Sequence, residues 1–140
     1  MIGCVTLGSN DIPRTGVFYD AVLGEIGAKR QMDSESFIAC SITLGTPMLG
    51  VIKPFDGGSA AAGNGMIVAF AVKTRDNVVA LDRKAMELGA HDEGAPGLRG
   101  GTWVHRANRT PATIPAFYAA YFRDPDGNKL LVFHNIFLRN

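Results

Sequence analysis

The chain has 140 residues, of which 46% are hydrophobic and 19% are charged, and its formal net charge is +1. This length suits one globular domain, and the near-neutral charge argues against nucleic acid or an anionic membrane surface as a partner. No apolar run approaches the ~20 residues of a membrane span, and the N-terminus lacks the basic and apolar regions of a signal peptide, so we expect a cytoplasmic protein.

The first half of the chain predicts a strand, a helix and three more strands. Cys4–Leu7 is an apolar, strand-like run. Asn10 and Asp11 can cap the helix that follows, and Pro13 suits its first turn, where a backbone N–H has no helical partner in any case. Gly27 is typical of a helix terminator. The later strands of this half are predicted at 29–32, 37–44 and 48–53.

The second half repeats this order after a glycine-rich linker at 55–65. A strand is predicted at 66–72, and Thr74 can cap the next helix. The apolar residues of that helix share one face: Val78, Leu81, Ala85 and Leu88. The remaining strands are predicted at 91–93, 116–123 and 129–134. Because the elements recur at an offset of about 62 residues, the sequence predicts a duplicated module, with module 1 at about 1–54 and module 2 at about 66–136.

Module 2 differs from module 1 in one long insertion and in its last strand. The insertion covers the 22 residues at 94–115 and is predicted to be a loop, which in compact domains is often functional. The last strand is apolar on both faces. Leu130 and Val132 are expected to contact one layer and Leu131 the opposite layer, because side chains alternate along a strand.

Several single residues have predicted places in this scheme. Asp124 and Asp126 are expected to form the DPDG turn rather than a catalytic carboxylate pair. Tyr118 and Tyr121 are an odd number of residues apart and should lie on opposite faces of their strand. The two cysteines are expected to be buried free thiols in apolar strands: Cys4 and Cys40.

Five segments of the chain carry a resemblance to one superfamily, and the most specific is YFRDPDGNKLLVF, a DPDGN turn before a final strand. The others are TLGSNDIPRTGVFYDAVLGEIGAKR, PMLGVIKPFDG, GNGMIVAFAV and GAPGLR. Over about residues 3–134, the chain resembles the vicinal oxygen chelate superfamily, which includes glyoxalase I, the bleomycin and fosfomycin resistance proteins and the extradiol dioxygenases. The resemblance implies an α+β fold of two βαβββ modules that form a cupped mixed sheet around a central pocket, and it implies a homodimer.

The resemblance also locates the positions at which the metal enzymes of the superfamily hold a divalent cation. Three of these positions fall on Cys4, Ile67 and Leu131, and the segment 37–55, where the fourth would lie, contains no Asp, Glu or His. At most one of the four positions therefore has a side chain that can ligate a metal, whereas a catalytic site needs about three protein ligands. We expect no metal and no other cofactor.

Strand alternation and the resemblance together predict the residues of a pocket. Its walls are predicted to be formed by Cys4, Thr6, Ile67, Ala69 and Leu131. The loop at 94–115 is predicted to cover the pocket with three lid residues: Trp103, His105 and Arg106. In the lid, His105 could act as a general acid or base, and Arg106 could hold an anion.

The residues leave four functions open. One is the binding and sequestration of a small organic molecule in an apolar cup, with binding energy from apolar burial. A second is a metal-free lyase or isomerase that uses His105 to move a proton. A metal-dependent glyoxalase or dioxygenase-type enzyme and a structural dimer with a filled cup are the other two. The expected partners are a small-molecule ligand and a second copy of the chain, with no nucleic acid and no membrane.

Overall fold

The computed structural model describes the backbone of residues 1–104 and 111–135 and the side chains of residues 1–100 and 116–135. Within these ranges the chain forms two four-stranded mixed sheets and two helices. Each sheet with its helix follows the order strand, helix, then three strands. The α+β fold of two βαβββ modules that the sequence predicted is therefore confirmed.

Module 1 consists of β1 (Cys4–Gly8), α1 (Ile12–Gly24), β2 (Lys29–Asp33), β3 (Phe37–Ser41) and β4 (Met48–Ile52). Its sheet has the order β1-β4-β3-β2, in which β1 and β4 are parallel and the other neighbours antiparallel. The predicted helix cap forms, since the Asp11 carboxylate accepts the backbone N–H of Arg14 at 3.0 Å. Gly27 has a φ of +78°, which glycine adopts without steric cost, and the chain leaves the helix there.

Module 2 consists of β5 (Val68–Ala71), α2 (Arg75–Glu87), β6 (His91–Val104), β7 (Pro111–Arg123) and β8 (Lys129–Asn135). Its sheet has the order β5-β8-β7-β6, and β5 and β8 are parallel. The Thr74 hydroxyl accepts the backbone N–H of Asn77 at 3.1 Å and so caps α2 as predicted. Both helices have 13 residues, and no helix in the described ranges reaches the ~20 apolar residues needed to cross a membrane.

One hydrophobic core serves both modules. Side chains of α1 and α2 pack in a single buried cluster with strand residues of both sheets, among them Phe18, Val22, Leu81, Ile38, Phe122 and Val132. In β8, Leu130 and Val132 are fully buried in this cluster, whereas Leu131 lies half-buried on the opposite face of the strand. The predicted division of the last strand between two layers is confirmed. We call the opposite face of each sheet, which lies outside this cluster, its open face, and we call the sheets of modules 1 and 2 sheet 1 and sheet 2.

The turn at residues 124–128, which we name the inter-module turn, joins module 2 to the start of α1. The Asp126 carboxylate accepts three hydrogen bonds from module 1: the Asn10 backbone N–H at 3.0 Å, Arg14 Nη2 at 3.0 Å and the Thr15 hydroxyl at 2.7 Å. Burial raises the pKa of Asp126, but the hydrogen bonds from Asn10 and Thr15 outweigh burial and lower the pKa below its ordinary value. The carboxylate is thus held ionised at the module boundary.

Asp124 extends the same junction into the core. Its Oδ2 accepts the Tyr19 hydroxyl at 2.7 Å, and its Oδ1 accepts the backbone N–H groups of Asp126 and Asn128 at 3.0 and 2.9 Å. Asn128 Nδ2 donates to the Gly8 carbonyl at 3.0 Å. Burial and the neighbouring Asp124 charge raise the pKa of Tyr19 well above its ordinary value. Asp124 and Asp126 are turn formers, as predicted, and they also connect the two modules.

The prediction of a loop at 94–115 is wrong for 94–104 and 111–115, and residues 105–110 lie outside the described residues. β6 continues to Val104 and β7 begins at Pro111, and the two strands pair in antiparallel register, with Val104 opposite Pro111. Read alone, the glycine-rich sequence favours a turn, because glycine has low strand propensity. Three register shifts in the β6–β7 pairing accommodate these glycines within a long two-stranded ribbon.

The two cysteines differ in their burial. Both are free thiols, and Cys40 is buried as predicted. Cys4 is exposed, so the prediction that it is buried is wrong. The reason is strand alternation at the sheet edge: Leu7 of β1 is 5% exposed in the core, and Cys4, three residues earlier, projects from the opposite face.

Replacing Asp82 by asparagine is expected to stabilise the protein at neutral pH by about 1 kcal/mol or less, since the group is partly exposed. Asp82 Oδ1 is a buried atom to which no described residue donates a hydrogen bond. Burial, with the nearby Asp92 charge, raises the pKa of Asp82. A raised carboxyl pKa means that the ionised form destabilises the folded state above that pKa. The penalty disappears below the unfolded value of about 4.

Urea unfolding of Asp82→Asn and of the parent protein at pH 7 and at about pH 3.5 measures this effect. The variant should be more stable at pH 7, and the difference should shrink at the acidic pH. Asp76→Asn is the control, because Asp76 lies in the first turn of the same helix, where a negative charge is favourable. Equal gains for both variants would contradict the explanation.

Candidate functional site

A row of four cross-strand partners crosses the open face of each sheet. In sheet 1 the cross-strand partners in this row are Thr6, Gly50, Ala39 and Met32. The Phe37 ring covers Gly50, where an added Cβ would lie 3.0 Å from Phe37 Cε2. In sheet 2 the matching partners are Ala69, Leu131, Tyr121 and Gly94. The two rows occupy matching strands but differ at all four positions, and sheet 2 carries Tyr121 where sheet 1 carries Ala39.

A cleft of about 490 Å³ lies between the end of the 55–65 linker and the open face of sheet 2. The sheet contributes Tyr121, Arg123 and Lys129, which alternation places on one face. The chain that enters β5 forms the opposite wall with Ala62, Gly63, Asn64, Gly65, Met66 and Ile67. Gly65 has a φ of +85°, so the wall turns sharply at a residue without a side chain.

A charge network borders this cleft. The Glu93 carboxylate accepts Arg123 Nε–H at 2.7 Å and pairs with Lys129 Nζ at 3.0 Å. The hydrogen bonds from Arg123 and Lys129 lower the pKa of Glu93 to about 2, so Glu93 is ionised at neutral pH. Arg123 Nη1 also donates to the Gly127 carbonyl at 2.8 Å. Glu93 and the Gly127 carbonyl together fix the guanidinium of Arg123 at the wall of the cleft.

Tyr121 lies between two cations on this face. Its ring centroid is 5.9 Å from Lys129 Nζ and 5.8 Å from the guanidinium carbon of Arg99. Arg99 reaches this place because two glycines leave room for it: an added Cβ at Gly94 or Gly97 would lie 3.3 or 2.8 Å from its guanidinium nitrogens. The local electrostatics are therefore positive around an aromatic ring, within cation–π range.

No family model and no curated protein sequence matches the chain. Solved structures do match it over nearly its whole length. A glyoxalase/bleomycin resistance protein from Albidiferax ferrireducens T118 is 29% identical, with a TM-score of 0.79, and the match covers 96% of this chain and 99% of that one. By its fold, the chain belongs to the glyoxalase/bleomycin resistance/dioxygenase superfamily. The resemblance seen in the sequence is thereby confirmed.

Two further members of this superfamily bear on the fold alone, because each is 19% identical to the chain. One is a glyoxalase/bleomycin resistance protein/dioxygenase family enzyme from Burkholderia phytofirmans PsJN, with a TM-score of 0.64 and coverage of 96% of this chain and 98% of that one. The other is a lactoylglutathione lyase from Agrobacterium tumefaciens, with a TM-score of 0.59 and coverage of 96% and 92%. The superfamily fold therefore extends over both modules.

The predicted pocket walls fall into two groups within this superfamily fold. Cys4 and Thr6 are neighbours on the open face of sheet 1, with Cys4 Sγ 3.9 Å from Thr6 Oγ1. Ala69 and Leu131 are cross-strand partners on the open face of sheet 2. Ile67 lines the cleft beside Tyr121, and the other four predicted wall residues do not line it. That all five surround one hollow stays a prediction.

Trp103, whose backbone is described, lies far along the β6–β7 ribbon from this cleft. Trp103 is opposite Ala112, which precedes Tyr121 by nine residues on β7. At about 3.3 Å per residue, nine residues span roughly 30 Å of strand. His105 and Arg106 lie outside the described residues. The role of these three residues as a lid therefore stays a prediction, and the ribbon does not bring Trp103 to the end of the sheet that holds the cleft.

The described residues do not fit the divalent metal of the superfamily's metal enzymes. Of the implied ligand positions, Ile67 and Leu131 have no donor atom, and Cys4 is an exposed thiol at the sheet edge. In the ranges with described side chains, no group of three or more His, Cys, Asp or Glu side chains is placed to hold a metal ion. One thiol cannot supply the three or four ligands of a first-row metal site, and no chemical step can be derived through a metal here.

The cations of the cleft were missed by the sequence reasoning, although a local signal for them exists. The DPDG turn joins two antiparallel strands, and its register places Arg123 directly opposite Lys129. Tyr121 is two residues before Arg123 and must share its face. Alternation around this hairpin could thus have placed all three side chains together, but only the structure brings Glu93 and the linker to them.

Proposed function

We propose that the protein binds a small organic molecule in the cleft beside Tyr121 and sequesters it without a metal. The cleft itself is the observation that carries this proposal. Its volume of about 490 Å³ is within the range of about 300–1,000 Å³ typical of small-molecule sites. Its walls combine apolar side chains such as Met66 and Ile67 with a few convergent polar groups, which is the usual composition of such sites.

Apolar residues at the metal positions of the superfamily support sequestration over metal catalysis. Ile67 and Leu131 offer contact surface to a ligand and no charge to a cation. A glyoxalase or dioxygenase-type reaction would require other ligands than the described side chains provide. The alternative of a metal-free lyase or isomerase depends on His105, which lies outside the described residues. The binding function requires neither a metal ion nor His105.

We further propose that the protein works as a homodimer whose second copy covers the open sheet faces. Large apolar side chains are exposed at and near these faces, with Met32 53%, Met66 56% and Ile67 43% exposed. Burying such surface against a second copy would contribute roughly 25 cal/mol per Å². A covered face would also exclude water from a ligand in the cleft.

Replacing Ala62 by tryptophan is expected to abolish ligand binding, because Ala62 lines the cleft and an indole would fill it. Binding is measured with a set of small aromatic acids, alcohols and amides by ligand-observed NMR at fixed protein concentration. The fragments that bind the parent protein should lose their signal with Ala62→Trp. Metal content is measured in parallel on the parent protein by elemental analysis.

Ala61→Trp is the matched control, since Ala61 is the exposed neighbour in the chain and does not line the cleft. It should bind the same fragments as the parent protein, and both variants should retain the parent's unfolding midpoint in urea. Fragment binding that persists in Ala62→Trp would contradict the proposed site. Stoichiometric zinc, nickel, iron or manganese in the purified protein would contradict the metal-free function.

A further inference from the structure

We propose that the ligand of this cleft is an amphipathic organic anion, with an oxyanion head group on Arg123 and Lys129 and an apolar body on Met66 and Ile67. The inference rests on the proposed binding function and names the chemical class of its ligand. The charged side chains that line the cleft are these two cations, and no carboxylate is among its described lining residues. Their shared partner Glu93 lies outside the lining.

The two cations have unused hydrogen-bond donors. Arg123 uses Nε for Glu93 and Nη1 for the Gly127 carbonyl, and Nη2 has no described acceptor. Lys129 pairs with Glu93 through one of its three N–H groups. Tyr121 makes no hydrogen bond with a described residue and offers its hydroxyl at the same wall. Donors to an oxyanion are thus present in excess of the local acceptors.

The local charge also favours an anion. Arg99 and Lys129 approach the Tyr121 ring, and Arg123 lines the same cleft. Glu93 is the one carboxylate paired with these cations in the described network. Arg99 donates to the carbonyls of Ala95 and Leu98, which do not neutralise it. Three positive charges against one negative charge leave an excess of two. A bound oxyanion would be held by charge-assisted hydrogen bonds, which are about twice as strong as neutral ones.

Arg123 and Lys129 are held in place before a ligand binds, which distinguishes them from an ordinary surface ion pair. Arg123 is fixed at two points, by the Glu93 carboxylate and by a carbonyl of the inter-module turn. Its side chain is 36% exposed, and that of Lys129 is 32% exposed, so both are partly withdrawn from water. A ligand therefore meets donors that lose little further conformational freedom on binding.

Isothermal titration with four probes tests the class: benzoate, phenyl phosphate, benzyl alcohol and acetate. Benzoate or phenyl phosphate should bind the parent protein about tenfold or more tightly than benzyl alcohol, as expected for hydrogen bonds to charged groups. Whichever of the two binds more tightly identifies the head group as carboxylate or phosphate. Acetate, which lacks the apolar body, should bind more weakly than benzoate. High salt should weaken the binding of the anions and leave the binding of benzyl alcohol unchanged.

Lys129→Met should remove most of the preference for the anions over benzyl alcohol, and Lys129→Arg should keep the preference. Lys84→Met is the matched control, because Lys84 is also 32% exposed and paired with a glutamate, but lies on α2. Benzyl alcohol binding as tightly as benzoate would overturn the anion class and leave the binding function standing. Failure of all four probes, together with the fragment set, would overturn both.

Discussion

Asp124→Ala is expected to lower the free energy of unfolding by roughly 3–5 kcal/mol. Asp124 is 3% exposed, and its two oxygens accept bonds from the Tyr19 hydroxyl, from the backbone N–H groups of Asp126 and Asn128 and from Asn128 Nδ2. Alanine would leave the hydroxyl of a fully buried tyrosine without its acceptor and would remove the bonds that close the turn. Each stranded buried donor costs about 1–3 kcal/mol.

Urea denaturation followed by far-UV circular dichroism measures this loss. The control is Asp56→Ala, since Asp56 accepts the Gly58 N–H at 2.9 Å in an exposed turn of the linker. It makes the same local kind of bond without burial or contact with the other module, so its loss should stay within about 0.5 kcal/mol. Tyr19→Phe should lower the free energy of unfolding less than Asp124→Ala, because it removes only the hydrogen bond from the Tyr19 hydroxyl. Similar effects of Asp124→Ala and Asp56→Ala would refute the role of the buried junction.

Leu81→Ala is expected to lower the free energy of unfolding by about 2–5 kcal/mol. Both modules of the variant should still unfold together in a single transition. Leu81 of α2 is fully buried in the cluster that also contains α1 and sheet 1 residues. The cavity left by three missing carbon atoms would thus lie in a core that both modules share. Because neither module has a core of its own in this cluster, module 1 should not remain folded when module 2 unfolds.

Two probes of unfolding distinguish a shared core from two separate ones. Far-UV circular dichroism reports on all helices and strands, and fluorescence of the single tryptophan reports on module 2. The two curves should coincide for the parent protein and for Leu81→Ala. Val79→Ala is the control on the same helix, since Val79 is 44% exposed and its truncation leaves no cavity. Separate transitions for the two probes would show that the modules unfold independently.

Local chemistry explains why much of the fold could be predicted from the sequence. Asp11 and Thr74 cap the two helices because each side-chain oxygen needs only a backbone N–H three residues ahead. Leu130 and Leu131 point to opposite layers because alternation depends on the strand alone. These signals span a few residues, and nothing distant can reverse them.

The ribbon formed by β6 and the start of β7 could not be predicted in the same way. Its glycines and prolines lower strand propensity, and what makes them strands is a partner strand in register, which local sequence does not reveal. The prediction that Cys4 is buried failed for a related reason. An apolar run predicts a strand, but only the position of β1 at the edge of the sheet exposes one of its faces.

The candidate site was the least predictable part, because it joins residues that are distant in sequence. Glu93 meets Arg123 across the β6–β7 pair, and the linker wall at 62–67 meets Tyr121 only once module 2 is folded. The resemblance directed attention to the metal positions, where the described residues are apolar. Lys129 lies two residues before Leu131 on β8, and Arg123 is its cross-strand partner on β7. Their shared partner Glu93 cannot be located without the register of β6.

The inter-module turn has a consequence for cutting the polypeptide. Asp124 and Asp126 belong to the second half of the chain, yet their acceptor oxygens are satisfied by Tyr19, Thr15 and the Asn10 N–H of the first half. A protease nick within the 55–65 linker would leave every one of these bonds in place. Two separately produced halves would each carry one side of the same junction, so the protein offers a natural split point for fragment complementation.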